Sequence, residues 1–181
     1  VSSGAVAAGR DSLSRTPGKD KLQQGTVAYK QTLAALGQPQ LMTTFEKIFS
    51  EHNVEIAQAL ISRGDLQSRS RYLNIRNTFD SLLSIGAIPI VNENDVVAVE
   101  ELAGEVYGDN DRLSAMVANT VDADLLILLG DMKGLYTVDP HIDSSAELIS
   151  VVEQIDPTVE KSASGPHDKQ GSGGMASKLD A

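Results

Sequence analysis

The chain has 181 residues, 41% of them hydrophobic, enough for one α/β domain with a buried core and too few for two comfortable ones. A formal net charge of -10, with no dense lysine and arginine cluster, opposes nucleic-acid backbones and anionic membranes, while a small anionic ligand, which responds to a few local lysines and amides, stays open. Cysteine is absent, which excludes disulfides and thiolate metal sites, and no apolar run approaches the roughly 20 residues of a membrane span; both point to a cytoplasmic setting.

Residues 1–9 read as a glycine-flanked turn entering a short helix, and residues 10–20, with Pro17 and Gly18, as a surface loop. The opening Val1-Ser2-Ser3-Gly4 has the character of a turn after a strand, so the chain is expected to be a piece of a longer protein, lacking an N-terminal strand and inactive by itself. Apolar residues at three- and four-residue steps predict helices over residues 26–36 and 41–49, separated near Gly37 and Pro39. Residues 54–61 predict a strand. Residues 72–85 predict a helix with Tyr72, Ile75, Phe79, Leu82 and Leu83 on one stripe, ended by Gly86.

Residues 87–91 and 125–129 are apolar runs of the kind that form strands covered on both faces, although Pro89 confines the first to an arrangement that spares one ladder donor. A helix over residues 113–121 and a strand over 148–152 follow, and residues 162–174, rich in serine and glycine, read as a loop. Strands alternating with helices give the fold class: α/β, a mainly parallel sheet between helices.

In such sheets ligands collect beyond the carboxyl ends of the strands. Asn92-Glu93-Asn94-Asp95 follows the first apolar run and Gly130-Asp131 the second. Gly108-Asp109-Asn110-Asp111 stands before a helix, where a capping role is the plainer reading of the aspartates. Calcium is excluded there, since an EF-hand loop starting at Asp109 would need glycine at Ser114 and glutamate at Thr120. Gly171-Ser172-Gly173-Gly174-Met175-Ala176-Ser177-Lys178 carries the strongest local signal: small residues let a backbone approach a phosphate and Lys178 adds a point charge. It fits neither a P-loop nor a dinucleotide fingerprint, because the lysine spacing is wrong for the one and the polar residues before it cannot form the strand of the other. His52, His141 and His167 stand apart and read as surface histidines, and Arg63, Arg69, Arg71 and Arg76 read equally well as a local basic face or a solvated helix surface.

Together with Arg71-Tyr72-Leu73-Asn74, Gly134-Leu135-Tyr136-Thr137 and the opening nine residues, these motifs resemble, in order and spacing, the glutamate 5-kinase family of the amino acid kinase superfamily. Residue 130 departs from it, glycine standing where the family usually has threonine. The resemblance implies ATP-dependent phosphorylation of the L-glutamate side-chain carboxylate, the first step of proline synthesis, with Mg2+ on the ATP phosphates. It implies that Ser3, Asp95 and Asn110 contact glutamate, that Gly130, Asp131 and residues Ser172, Gly173, Gly174, Met175, Ala176, Ser177 and Lys178 hold the nucleotide, and that Asp111 orients catalytic lysines, Lys178 among them. Inhibition by proline, a homo-oligomer and, in many members, a C-terminal PUA domain belong to the same expectation. The rival readings are a relative acting on a small phosphate or a nucleoside monophosphate, and a non-catalytic domain that binds an amino acid.

Overall fold

The computed structural model describes residues 1–97, 110–163 and 174–181, which fall into two compact units, Val1–Glu105 and Val106–Ala181. The first unit opens with helix α1 (Ala5–Ser14), a single 3-10 turn (Lys19–Lys21) and the long helix α2 (Val27–Ser50). Strand β1 (Ile56–Ile61), the short helix α3 (Arg63–Gln67), helix α4 (Arg69–Ser84) and strand β2 (Ile88–Glu93) complete it.

β1 and β2 pair in parallel, Ile56 opposite Ile88 through Ile61 opposite Glu93, with the two helices as the crossover. The predicted helix over residues 72–85 and the strands over 54–61 and 87–91 are present. Ile88 N–H donates to Glu55 and Asn94 N–H to Ile61, so alternate residues of β2 face β1 and Pro89, between them in phase, turns its donorless nitrogen away. The proline is tolerated for that reason. The other side of β2 receives the chain start, where Ser2 N–H and Oγ both donate to the Val91 carbonyl at 2.8 and 3.2 Å. Val91, Ile90, Ile61, Phe79 and Leu33 are buried in this unit.

Two expectations fail here. Helix α1 continues to Ser14 where a loop was predicted from residue 10, and α2 runs unbroken through Gly37 and Pro39 where two helices were predicted. The reason is packing. α2 starts at Thr26, whose Oγ1 accepts from Tyr29 N–H, and buries Leu33, Ala34, Gly37 and Gln38. At Gly37 a Cβ would overlap the Ala5 carbonyl, and at Gly9 a Cβ would overlap the Leu33 carbonyl, so the two helices cross backbone to backbone. That contact holds the helix across a proline that removes one hydrogen bond at a cost of about 3 kcal/mol in an isolated helix.

The second unit contains α5 (Asn110–Thr120), the two-residue strands β3 (Leu135–Tyr136) and β4 (Leu148–Ile149), α6 (Pro157–Ala163) and α7 (Met175–Asp180). β3 and β4 are antiparallel. Asp156 starts α6 by accepting from Thr158 and Val159 N–H. The strand predicted over residues 125–129 is not formed: among the described residues no strand pairs with it, and Leu125, Ile127 and Leu129 are 74%, 69% and 89% exposed. Apolar content alone cannot order an extended segment whose backbone groups lack a ladder partner. Of the strand predicted over 148–152, only Leu148–Ile149 is paired. No described helix is long and apolar enough to cross a membrane.

Candidate functional site

Because β1 and β2 are parallel, their carboxyl ends share one edge, and each end is polar. β1 leads into Ser62, whose Oγ accepts from Asp65 N–H at 3.3 Å while Asp65 Oδ2 takes the Ser62 N–H at 2.8 Å, a reciprocal cap that opens α3. Hydrogen bonds from Ser62, reinforced by Arg71 at 2.9 Å, hold the Asp65 carboxyl below its ordinary value of 3.8. β2 ends in the predicted Asn92 to Asp95 segment. Asn92 is buried, its Oδ1 accepting from Glu93 N–H at 2.9 Å and its Nδ2 donating to Gln38 Oε1 at 3.2 Å. Asp95 is partly exposed in the turn that follows, and Ser3 is exposed one residue beyond the Ser2 contact with β2.

Gln38 is the residue that sequence reasoning missed in this region. It sits on the buried face of α2, 8% exposed, and among the described residues its Nε2 has no hydrogen-bond partner. A buried amide left in that state costs about 1–3 kcal/mol. The glycine-glutamine-proline run reads as a helix break, which hides the glutamine behind it.

In the second unit, Asn110 and Asp111 form the first turn of α5, which begins three residues before the helix predicted from residue 113, while Gly108, Asp109, Gly171, Ser172 and Gly173 lie outside the described residues. Asp111 Oδ2 accepts from Lys178 Nζ and from Ser177 Oγ, both at 2.8 Å, and Ser177 Oγ also lies 3.0 Å from the Gly174 carbonyl. The side chains of Asp111 and Lys178 are 16% and 23% exposed, so the pair is shielded without being sealed. Met175 opens α7, and Ala176 lies in its first turn. Farther along, Arg112 and Asp180 pair at 2.7 Å, a second tie between α5 and α7.

Beside this pair is a cavity of about 720 Å³, lined among others by Gly130, Asp131, Gly174, Met175 and Lys178. The structure thus brings together five of the residues singled out for the nucleotide, drawn from two segments over forty positions apart. A Cβ at residue 130 would stand 3.4 Å from Lys178 Cε, so the glycine lies directly against the lysine stem. The size suits a small-molecule ligand, and the mix of apolar wall and few polar groups is typical of one. Sequence reasoning missed the wall formed by Asp139, Pro140 and His141. There Asp139 Oδ1 takes the His141 N–H at 2.8 Å and lies 3.1 Å from its Nδ1, and the histidine is 67% exposed, as a surface histidine was expected to be. The aspartate-proline turn signal at 139–140 could have marked the place. Among the described residues no three His, Asp or Glu side chains converge as metal ligands.

A lysine held by an aspartate at the wall of such a cavity offers a positive charge to an anionic ligand. The amino acid kinase family matches residues 1–181. The chain belongs to that family. Its relatives include the glutamate 5-kinase of Dehalococcoides mccartyi, 50% identical over 182 residues that take in all of this chain and 47% of that protein. The glutamate 5-kinase of Vibrio vulnificus is 50% identical over 181 residues, 46% of its length, and that of Clostridium acetobutylicum 48% identical over 65% of its length. This amino acid kinase chain therefore spans about half to two thirds of the length of those relatives. The α/β architecture, with its parallel strand pair and crossover helices, is in keeping with the family.

Proposed function

We propose that the protein transfers the γ-phosphoryl group of ATP to the side-chain carboxylate of L-glutamate, giving glutamyl 5-phosphate for proline synthesis. The observation that carries the reading is the Lys178–Asp111 pair at the edge of the cavity lined by Gly130, Asp131 and Gly174. The names of the relatives supply the acceptor.

The chemistry needs few groups. A glutamate carboxylate, with a pKa of roughly 4.3, is already ionised near neutral pH, so attack on phosphorus requires no general base. Its obstacle is the approach of two anions, and catalysis consists of aligning them and neutralising the charge that spreads over the transferring group. In this reading Lys178 places its ammonium on the phosphates while Asp111 fixes the lysine's direction. Gly130 and Asp131 bound the nucleotide, as do Gly174, Met175, Ala176 and Ser177, with Ser172 and Gly173 belonging to the same loop. Ser3, Asp95 and Asn110 bind glutamate, the Asp95 carboxylate suiting its α-ammonium group. Bound with ATP, magnesium would supply further neutralisation of the phosphate charge. A cytoplasmic setting, a homo-oligomer and inhibition by proline accompany this activity in the proposal.

The test uses the complete gene product with ATP, magnesium and hydroxylamine, which traps an acyl phosphate as a hydroxamate. Glutamate-dependent release of ADP with matching hydroxamate is the expected result. Equal release without glutamate, or with aspartate or a nucleoside monophosphate in its place, would overturn it.

A further inference from the structure

The buried amide of Gln38 is oriented by a chain of constraints that starts at the backbone. Glu93 N–H must have an acceptor at the end of β2, and it takes Asn92 Oδ1 at 2.9 Å. That bond fixes which way the Asn92 amide faces, so its Nδ2 points toward α2 and needs an acceptor in turn. Gln38 presents Oε1 at 3.2 Å. Its own Nε2 is thereby turned away, and among the described residues it finds nothing, although Gln38 is only 8% exposed. Flipping the Gln38 amide would set two donors face to face. The unsatisfied donor is the consequence of holding Asn92 in one orientation.

The anchor of this chain is rigid. Gln38 follows Gly37, the residue at which α2 meets the Ala5 carbonyl and the Gly9 nitrogen of α1 too closely for any side chain. Gln38 therefore cannot shift along or away from α1 to satisfy its free donor. What it holds is the exit of β2: Asn92 is the last buried residue before the segment that carries Asp95, and its side chain locks the first N–H of that segment.

We propose that Gln38 is a positioning residue for the amino acid acceptor: its side-chain oxygen, acting through Asn92 and Glu93 N–H, fixes the direction in which the Asp95 segment leaves β2. The proposal rests on the assignment of Asp95 to glutamate binding. Gln38→Met keeps the volume and removes the acceptor for Asn92, whereas Gln38→Glu, which burial holds in the neutral protonated form, keeps a carbonyl acceptor and removes the orphan amide. In the complete gene product, Gln38→Met should raise KM for glutamate about tenfold, the scale of one hydrogen bond, with kcat and KM for ATP within about twofold of the unsubstituted protein. Gln38→Glu should stay within about threefold in all three. A role in packing alone would not separate the two substrates.

An unchanged glutamate KM in Gln38→Met overturns the proposal, as does a parallel rise in both KM values. Equal damage from Gln38→Glu would overturn it too, by making the Nε2 donor the group that matters. Should Gln38→Met fail to accumulate as folded protein, Gln38→Asn, which draws the acceptor back by one methylene, is read against Gln38→Glu in the same way. Lack of glutamate-dependent turnover in the unsubstituted protein overturns the functional reading and this proposal with it, whereas normal turnover with an insensitive Gln38→Met overturns the proposal alone.

Discussion

Asn92 in the first unit is fixed by neutral partners, a backbone N–H and a glutamine oxygen, and is almost wholly buried, whereas Asp111 in the second is held by a lysine and a serine and keeps some contact with solvent. In the proposed function the difference follows from what each place has to do. A segment that recognises an acceptor needs direction more than charge, and neutral hydrogen bonds give direction without disturbing a nearby carboxylate. A group that meets phosphates needs charge, and charge is tolerable only where a counter-ion and some water offset its desolvation. The two units also differ in how their apolar residues are used. In the first, the apolar strand runs are paired and bury Ile61, Ile90 and Val91; in the second, residues 125–129 pair with no strand among the described residues and leave Leu125, Ile127 and Leu129 exposed.

The contrast can be broken hardest at the helix crossing that anchors the neutral side. Gly37→Ala sets a Cβ against the Ala5 carbonyl, and backbone cannot step aside as a flexible side chain would. Chemical denaturation should show a loss of about 3 kcal/mol or more, and a loss below about 1 kcal/mol would mean that the crossing adjusts. On the charged side, Lys178→Ala should lower kcat by about 10²-fold or more, equivalent to roughly 2.7 kcal/mol, because it removes charge that matters most in the transition state. Near-normal turnover would take Lys178 out of the mechanism.

A smaller effect sharpens the division of labour. Asp95→Asn should raise the Kd for glutamate about tenfold in calorimetry and leave ATP binding alone, since the carboxylate suits an ammonium group and not a phosphate. The opposite pattern, nucleotide affinity lost and glutamate affinity kept, would reverse the assignment. The smallest effect concerns the cap that follows β1, where Ser62→Ala should cost about 1 kcal/mol of stability near neutral pH. Its pH dependence has a definite sign. Asp65 has a lowered pKa in the folded protein, chiefly through Ser62, so its contribution is present above the unfolded value near 3.8 and is lost as pH falls through the folded one. The stability difference between the unsubstituted protein and Ser62→Ala should therefore shrink on acidification below about pH 4, and a difference that grows there would contradict the cap.

How much of this was legible in the residues varies from one element to the next. The helix over residues 72–85 and the strand before Asn92 were readable because their periodicity and their surroundings agree: Phe79 and Val91 are among the most deeply buried side chains. The candidate motifs could be singled out because turn and phosphate chemistry use few residue types; of them, Asp111 pairs with Lys178, and Gly174 and Lys178 line the cavity. Proline at 39 misled, since a local rule about hydrogen bonds was overruled by a helix crossing that depends on Gly9, nearly thirty residues away.

By itself the sequence determined the α/β alternation of the first unit and the polar ends of the apolar runs, both of which rest on interactions between near neighbours in the chain. Only the tertiary structure decided that Lys178 takes Asp111 as its partner across 67 positions, that α2 is continuous, and that Gln38 holds Asn92 across 54 positions. Periodicity records which face of an element is apolar. It does not record which element that face meets, and every one of those outcomes is a contact between elements, settled by the shape and hydrogen-bonding needs of both partners at once.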